Sequence, residues 1–218
     1  MTMFTLTIQY RTKHNVIHPF HSELVPLDEI ILLLEDFQQT GRVKSYEIID
    51  EHQSSWSLKS LKKLQQELAE EPQKIELYFD GNFIEATNEG GIGIVIYYEQ
   101  NGARFRIQKN QLITHMTSNN EVEYAALYAA FDTLRTLSIG AQQLTVYGDS
   151  QVVIKQMSGD WPVYEENLAY WAEKVDQFLT KEKLTARYFH IPRTTNKEAH
   201  RLATQALEHT FIEATAKL

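Results

Sequence analysis

The sequence predicts an α/β fold: a mixed five-stranded sheet with helices on both faces, preceded by a small N-terminal α+β domain. Three observations support it. After residue 73, apolar-aromatic and Ile- and Val-rich runs and helix-forming stretches follow one another in the order β-β-β-α-β-α-α-β-α. Asn101-Gly102 is a strong hairpin signal between two apolar runs, so the first three strands form an antiparallel meander. The later strands are separated by helices, which makes them crossover units of a mixed sheet.

The domain break is expected at Glu70-Glu71-Pro72-Gln73, giving domains 1–72 and 73–218. A charged helical stretch, Ser57 to Glu70, ends there, and Pro72 cannot continue it. Before the break, Phe4, Leu6, Ile8 and Tyr10 alternate with polar residues as in a half-buried strand. Asp28 opens a helix through Ile30, Ile31, Leu33, Leu34 and Phe37, with Gly41 where a C-terminal cap would fall. Val43 to Ile49 reads as a second strand. The helix after Trp56 carries Leu58, Leu61, Leu64 and Leu68 on one side. No motif assigns this unit a role, and a packed accessory domain is the expectation.

In the larger part the expected strands are Lys74 to Asp80, Gly90 to Tyr98, Ala103 to Lys109, Leu144 to Gly148 and Leu184 to Ile191. Ser118 or Asn119 caps an alanine-rich helix that runs to about Leu137. A short helix follows Ser150, a longer one spans about Glu165 to Thr180, and the last runs from Thr195 to about His209.

Composition narrows the function classes. The 218 residues are 43% hydrophobic and 23% charged, which suits an ordinary folded protein. A net charge of -8 argues against nucleic-acid binding through a bulk positive field, though not against a local basic groove. With Cys 0, disulfide-linked partners, thiolate catalysis and Cys-zinc sites are excluded. MTMFTLTIQY lacks the apolar core of a secretory signal, and Ile30 to Leu34 is far too short to span a bilayer. The expectation is a soluble cytoplasmic protein without a membrane partner.

Three acids occupy special places. Asp80 ends the run Leu77-Tyr78-Phe79, where an unpartnered buried acid is costly. Glu123 lies in the first turns of a helix, and Asp149 follows Val146-Tyr147-Gly148 at a strand's C-terminal end, a usual place for sites in open sheets. Taken singly, each has an ordinary structural explanation: an Asp-Gly turn at 80–81, a helix-dipole partner at 123, a helix cap pair at 149–150. Brought together, they would repel one another unless a cation such as Mg²⁺ or Mn²⁺ neutralised them.

With these acids in their setting, the sequence resembles the ribonuclease H type I family. The segments that carry the resemblance are YFDGN (78–82), TSNNEVEY (117–124), YGDSQVV (147–153) and HIPRTTNKEAHRLA (190–203). The resemblance covers nearly all of 74–209 and is closer to the bacterial and plant type. It implies the ribonuclease H-like fold and a nuclease that cuts the RNA strand of an RNA–DNA hybrid. It also implies Asp80, Glu123 and Asp149 as catalytic metal ligands, holding two divalent cations about 3.5–4 Å apart on the scissile phosphate. Glu121 competes with Glu123, but two residues along a helix point about 200° apart, and the family register selects Glu123. Nothing in residues 1–73 shows the aromatic-glycine signature of the known hybrid-binding domain.

The last motif departs from the family. Asn196 and Ala199 match, but His200 stands where the family has a fourth acid. His200 is therefore expected as a catalytic and metal-binding residue that shifts preference from Mg²⁺ towards Mn²⁺, since imidazole suits transition metals. Substrate contacts implied by the match are Asn88, Asn119, Asn120 and Gln151 on the shallow groove, with Ser150, Arg193 and Asn196 beside them; neutral amides suit reading 2′-OH groups. Ser150 is equally a helix cap, His190 a strand-end imidazole, and Trp161 an aromatic packed between helices. The alternative to a nuclease is a silent hybrid-binding or protein-interaction module on the same fold; a DNA exonuclease of related fold is a third reading.

Overall fold

The computed structural model describes residues 2–137 and 139–218. The chain divides into two compact units, Met1–Glu70 and Glu71–Leu218.

The first unit is built on an antiparallel sheet. Its elements are β1 (Met3–Arg11), β2 (Ile17–His21), β3 (Val25–Pro26), α1 (Leu27–Gln39), β4 (Val43–Asp50), β5 (Ser55–Trp56) and α2 (Leu58–Glu70). The strand order is β2-β1-β4-β5, with β3 also on β1. Alternation in β1 buries Phe4, Leu6 and Ile8 against Ile30, Leu34, Ile48 and Leu61. The strand β2 was not legible in the sequence: all five of its residues are exposed, and it contains Pro19. As the sheet's outer strand it tolerates a proline, because one row of its backbone groups needs no partner strand.

The second unit comprises β6 (Gln73–Ile84), β7 (Glu89–Gln100), β8 (Ala103–Thr114), α3 (Asn119–Thr133), β9 (Gln143–Gly148), α4 (Gln151–Met157), α5 (Glu166–Glu182), β10 (Thr185–His190), α6 (Lys197–Leu207) and β11 (Glu213–Lys217). A 3₁₀ turn, Leu134–Thr136, extends α3. The sheet has six strands in the order β10-β9-β6-β7-β8-β11, which corrects the expected five. The extra strand, β11, pairs antiparallel with β8. Its sequence, EATAK, is fully exposed and offers almost no β-branched or aromatic residues, so backbone pairing, not pattern, makes it a strand.

Helices cover both faces of the sheet, and β7 shows how. Ile92, Ile94 and Ile96 join the main core with Val122, Ala126 and Phe131 of α3. The alternate residues Gly91, Gly93 and Val95 meet α6. A Cβ on Gly93 would sit 1.9 Å from the Ala199 carbonyl oxygen, so only glycine lets α6 lie this close. Asn101 and Gly102 have φ of 52° and 70°, the positive values that a two-residue hairpin turn requires.

The Asp80-Gly81 pair is not a turn. The strand β6 continues through both residues to Ile84, and the reversal comes at 85–88. No helix of the described residues is long and apolar enough to cross a membrane.

Candidate active site

The central strands fix two of the three acids. β6 and β9 pair in parallel, with Glu76 opposite Thr145, Leu77 opposite Val146 and Tyr78 opposite Tyr147. Continuing that register past the last pair brings Asp80 level with Asp149, just beyond the end of β9. The third acid arrives on α3. A Cβ on Gly81 would lie 2.7 Å from the Glu123 backbone nitrogen, so the helix touches β6 at this glycine. The Gly81 N–H donates to Glu123 Oε2 at 3.1 Å.

One carboxylate oxygen from each of Asp80, Glu123 and Asp149 lies within 4.8 Å of the others. Asp80 and Glu123 are buried, and Asp149 is half-buried. Among the described residues no Lys or Arg pairs with any of the three, and the His200 imidazole is the sole ion-pair-distance nitrogen, at 3.1 Å from Asp80 Oδ2.

Negative charge is therefore concentrated and poorly compensated. Burial pushes the Asp80 carboxyl up to about 6; the His200 imidazole pulls against this, and the Asp149 charge adds to it. Glu123 is held well above the usual carboxylate range, first by burial and then by the charges of Asp80 and Asp149; the Arg193 charge opposes this. Hard oxygen donors, close spacing and unrelieved repulsion are what a divalent ion resolves, so these residues fit the metal that the fold implies.

Supporting groups hold the acids in place. Asn196 is 1% exposed and stands at the N-cap of α6, yet its side chain caps nothing. Its Nδ2 donates instead to the Phe79 carbonyl and to Asp149 Oδ1, both at 2.8 Å. A residue type favoured for capping is thus spent on fixing an acid. Glu121, the competing acid, points elsewhere. Its Oε2 accepts from the Thr117 amide at 2.8 Å and the Thr117 hydroxyl at 2.6 Å. Burial pushes Glu121 up, but these bonds, with Trp171 and Asn167, bring it below its ordinary value.

The remaining expected residues are spread around this centre. Ser118 is the N-cap of α3, accepting from the Glu121 amide, and Asn119 and Asn120 open the helix with Asn119 exposed. Ser150 caps α4 by accepting from the Val153 amide, and exposed Gln151 follows it. Asn88 is exposed in the β6–β7 turn with φ of 53°, and its carbonyl accepts from the Met116 amide. His190 is exposed at the end of β10, with Nε2 at 3.3 Å from the Asp149 carbonyl oxygen. Trp161, expected between helices, is 43% exposed.

His200 is the most heavily engaged of them. Besides Asp80, its Nδ1 has Asn82 Nδ2 at 3.4 Å, and Arg193 Nη2 lies 2.8 Å from its Nε2 and 3.2 Å from its Nδ1. It does not join the group of mutually close ligand atoms formed by the three carboxylates. Sequence reasoning missed Asn82, which also donates to Thr204 Oγ1 at 3.0 Å. The period of two in β6, which puts residues 80 and 82 on one face, was the available signal.

The comparisons with known proteins bear on the family and the fold. A family profile described as "Reverse transcriptase-like" matches residues 78–206. The uncharacterized protein YpeP of Bacillus subtilis is 44% identical over 176 residues, covering 81% of this chain and 77% of that protein. A ribonuclease HI of Halobacterium salinarum is 28% identical over 138 residues, covering 62% of this chain and 65% of that protein, so the chain spans just under two thirds of its length. The crystal structure of RNase H1 from the same organism superposes with a TM-score of 0.53, covering 62% of this chain and 98% of that one. LC11-RNase H1 in complex with RNA/DNA hybrid gives a TM-score of 0.55 at 28% identity, covering 62% and 98%. The chain belongs to the reverse transcriptase-like family, and its second unit is a ribonuclease H-like domain homologous to type 1 RNase H1.

Proposed function

We propose that the protein is a metal-dependent endonuclease that hydrolyses the RNA strand of RNA–DNA hybrids. The observation that carries this reading is the meeting of Asp80, Glu123 and Asp149 within 4.8 Å, with no Lys or Arg paired to them among the described residues. A divalent cation, Mg²⁺ or Mn²⁺, would be held by these three carboxylates and would supply the positive charge that a phosphoryl group needs during displacement. The chain's own residues prepare the place. The Gly81 amide orients Glu123, and the Asn196 amide orients Asp149. Buried surroundings strengthen every electrostatic interaction there.

The substrate would lie across the N-termini of α3 and α4. Asn119, Asn120 and Gln151 offer neutral amides for 2′-OH groups and base edges, and Ser150 and Arg193 suit a phosphate. Asn88 would touch the hybrid from the β6–β7 turn.

A labelled RNA–DNA hybrid incubated with Mn²⁺ or Mg²⁺ tests the reading, with Asp80→Asn as control. Cleavage by the wild type alone supports it. His200 at the place of the fourth acid favours one second reading, a silent hybrid-binding module; metal-independent binding without cleavage would establish that instead.

A further inference from the structure

We propose that the uncovered half of the second unit's sheet binds a single-stranded extension of the cleaved RNA strand, with a base stacked on Phe189 and a phosphate on Arg187. The inference rests on the nuclease reading for the identity of that strand.

Helix α6 covers part of one sheet face. His200 of α6 and its N-cap Asn196 reach Asp80 and Asp149, so these two acids lie towards that face. The helix packs on β6, β7 and β8. On β9 and β10 the same face meets solvent: Thr145 and Tyr147 are half-buried, and Thr185, Arg187 and Phe189 are exposed. Their neighbours along the chain, Val146, Ala186 and Tyr188, point the other way and pack with the main core.

Four rings cross this face in one row. Tyr97 meets Tyr78 at 5.8 Å between centroids, Tyr78 stacks on Tyr147 at 4.7 Å, and Tyr147 meets Phe189 at 5.7 Å. Phe189 ends the row on β10, the outermost strand, and is 46% exposed. A planar base would continue the row there. Tyr78 and Tyr147 stand two residues before Asp80 and Asp149, so the row runs about 6.6 Å from the acids, a distance that a few nucleotides span. Charge selects the occupant. Two residues further from the acids, Glu76 lies opposite Thr145 and Thr145 opposite Arg187. Glu76 is already bonded to Arg104 at 2.9 Å, whereas Arg187 is exposed and forms no ion pair among the described residues. An open ring beside an unpaired guanidinium suits a base and a phosphate, the two parts that a single strand offers.

Fluorescence anisotropy on the full chain tests this, in the Asp80→Asn background so that the RNA stays intact. The probes are a blunt RNA–DNA hybrid and the same hybrid with an unpaired stretch of RNA at its 5′ or its 3′ end. One of the two tails is expected to tighten binding at least about fivefold, the lower end of what a stacked base contributes. Phe189→Leu keeps an apolar group against Tyr147 and removes the flat ring. It and Arg187→Gln should each lose most of that gain and leave the blunt hybrid unaffected, and Phe189→Trp should keep the gain. Equal affinity for blunt and tailed hybrids, or a gain that survives in Phe189→Leu, would overturn the proposal. Tail-dependent binding that is lost in Phe189→Leu, beside a wild type that cleaves no hybrid, would count against the nuclease reading alone and leave the single-strand surface standing.

Discussion

The Gly81 amide donates to the Glu123 carboxylate at 3.1 Å, across 42 residues of chain and between a strand and a helix. The missing side chain of Gly81 and the placement of Glu123 are the same fact. A methyl group there would press on the Val122 and Glu123 backbone at 2.7 Å, and backbone cannot rotate aside. Gly81→Ala should therefore destabilise the domain by about 1–3 kcal/mol and weaken Mn²⁺ binding by pushing Glu123 away. Thermal unfolding and a Mn²⁺ titration read the two effects. Unchanged values in both would show that α3 does not depend on this contact.

The raised pKa of Asp80 gives a stability prediction with a definite sign. Its folded value, about 6, lies above the ordinary 3.8, so the folded protein holds the proton more tightly than the unfolded chain does. Metal-free stability then falls as pH rises through that window, and Glu123 acts in the same direction. Asp80→Asn removes the penalty. Without metal it should unfold at a higher temperature than wild type at pH 8, by an amount on the order of 1–2 kcal/mol, and show no such gain at pH 3.5. Added Mn²⁺ should stabilise the wild type and not the variant. A variant less stable than wild type at pH 8 would contradict the account of uncompensated charge.

The two acids of α3 should separate cleanly. Glu121 is bound to Thr117 and its pKa is lowered, so its contribution is present above the ordinary value of 4.5 and is lost as pH falls through the folded value. Glu121→Gln should cost about 1–2 kcal/mol at pH 7 and little near pH 3, with Mn²⁺ affinity intact. Glu123→Gln should do the reverse, losing metal affinity without destabilising the metal-free fold. Unfolding curves at the two pH values, with a metal titration of each variant, check both halves; loss of metal binding in Glu121→Gln would reassign the ligand.

Asn196 supports Asp149 from beneath. Asn196→Ala leaves the Phe79 carbonyl without that donor and frees Asp149 to rotate. A stability loss of about 1–3 kcal/mol and a 10–100-fold fall in Mn²⁺ affinity are expected. Calorimetry on the folded variant measures the second; a fall under threefold would mean that Asp149 does not need this bond.

Much of this was legible in the chain. The Ile- and Val-rich run Gly90 to Tyr98 announced a strand, and Asn101-Gly102 announced its hairpin. The order of Asp80, Glu123 and Asp149 along strand, helix and strand end announced the cluster. What stayed hidden depended on tertiary pairing. The strands β2 and β11 have no buried face to impose a period. Asp80-Gly81 has the composition of a turn, and only the pairing of β6 with β7 through Ile84 and Glu89 shows it to be strand. That Asn196 serves Asp149 rather than the helix end follows from α6 lying against β6 and β7, which no local pattern encodes.

The most direct test of the central claim is cleavage of an end-labelled RNA–DNA hybrid by the full chain in Mn²⁺, measured beside Asp80→Asn and a chelated control. RNA fragments from the wild type, absent in both controls, are the predicted result. An intact hybrid under all three conditions, or equal fragments from wild type and Asp80→Asn, would contradict the assignment of these carboxylates to a nuclease centre.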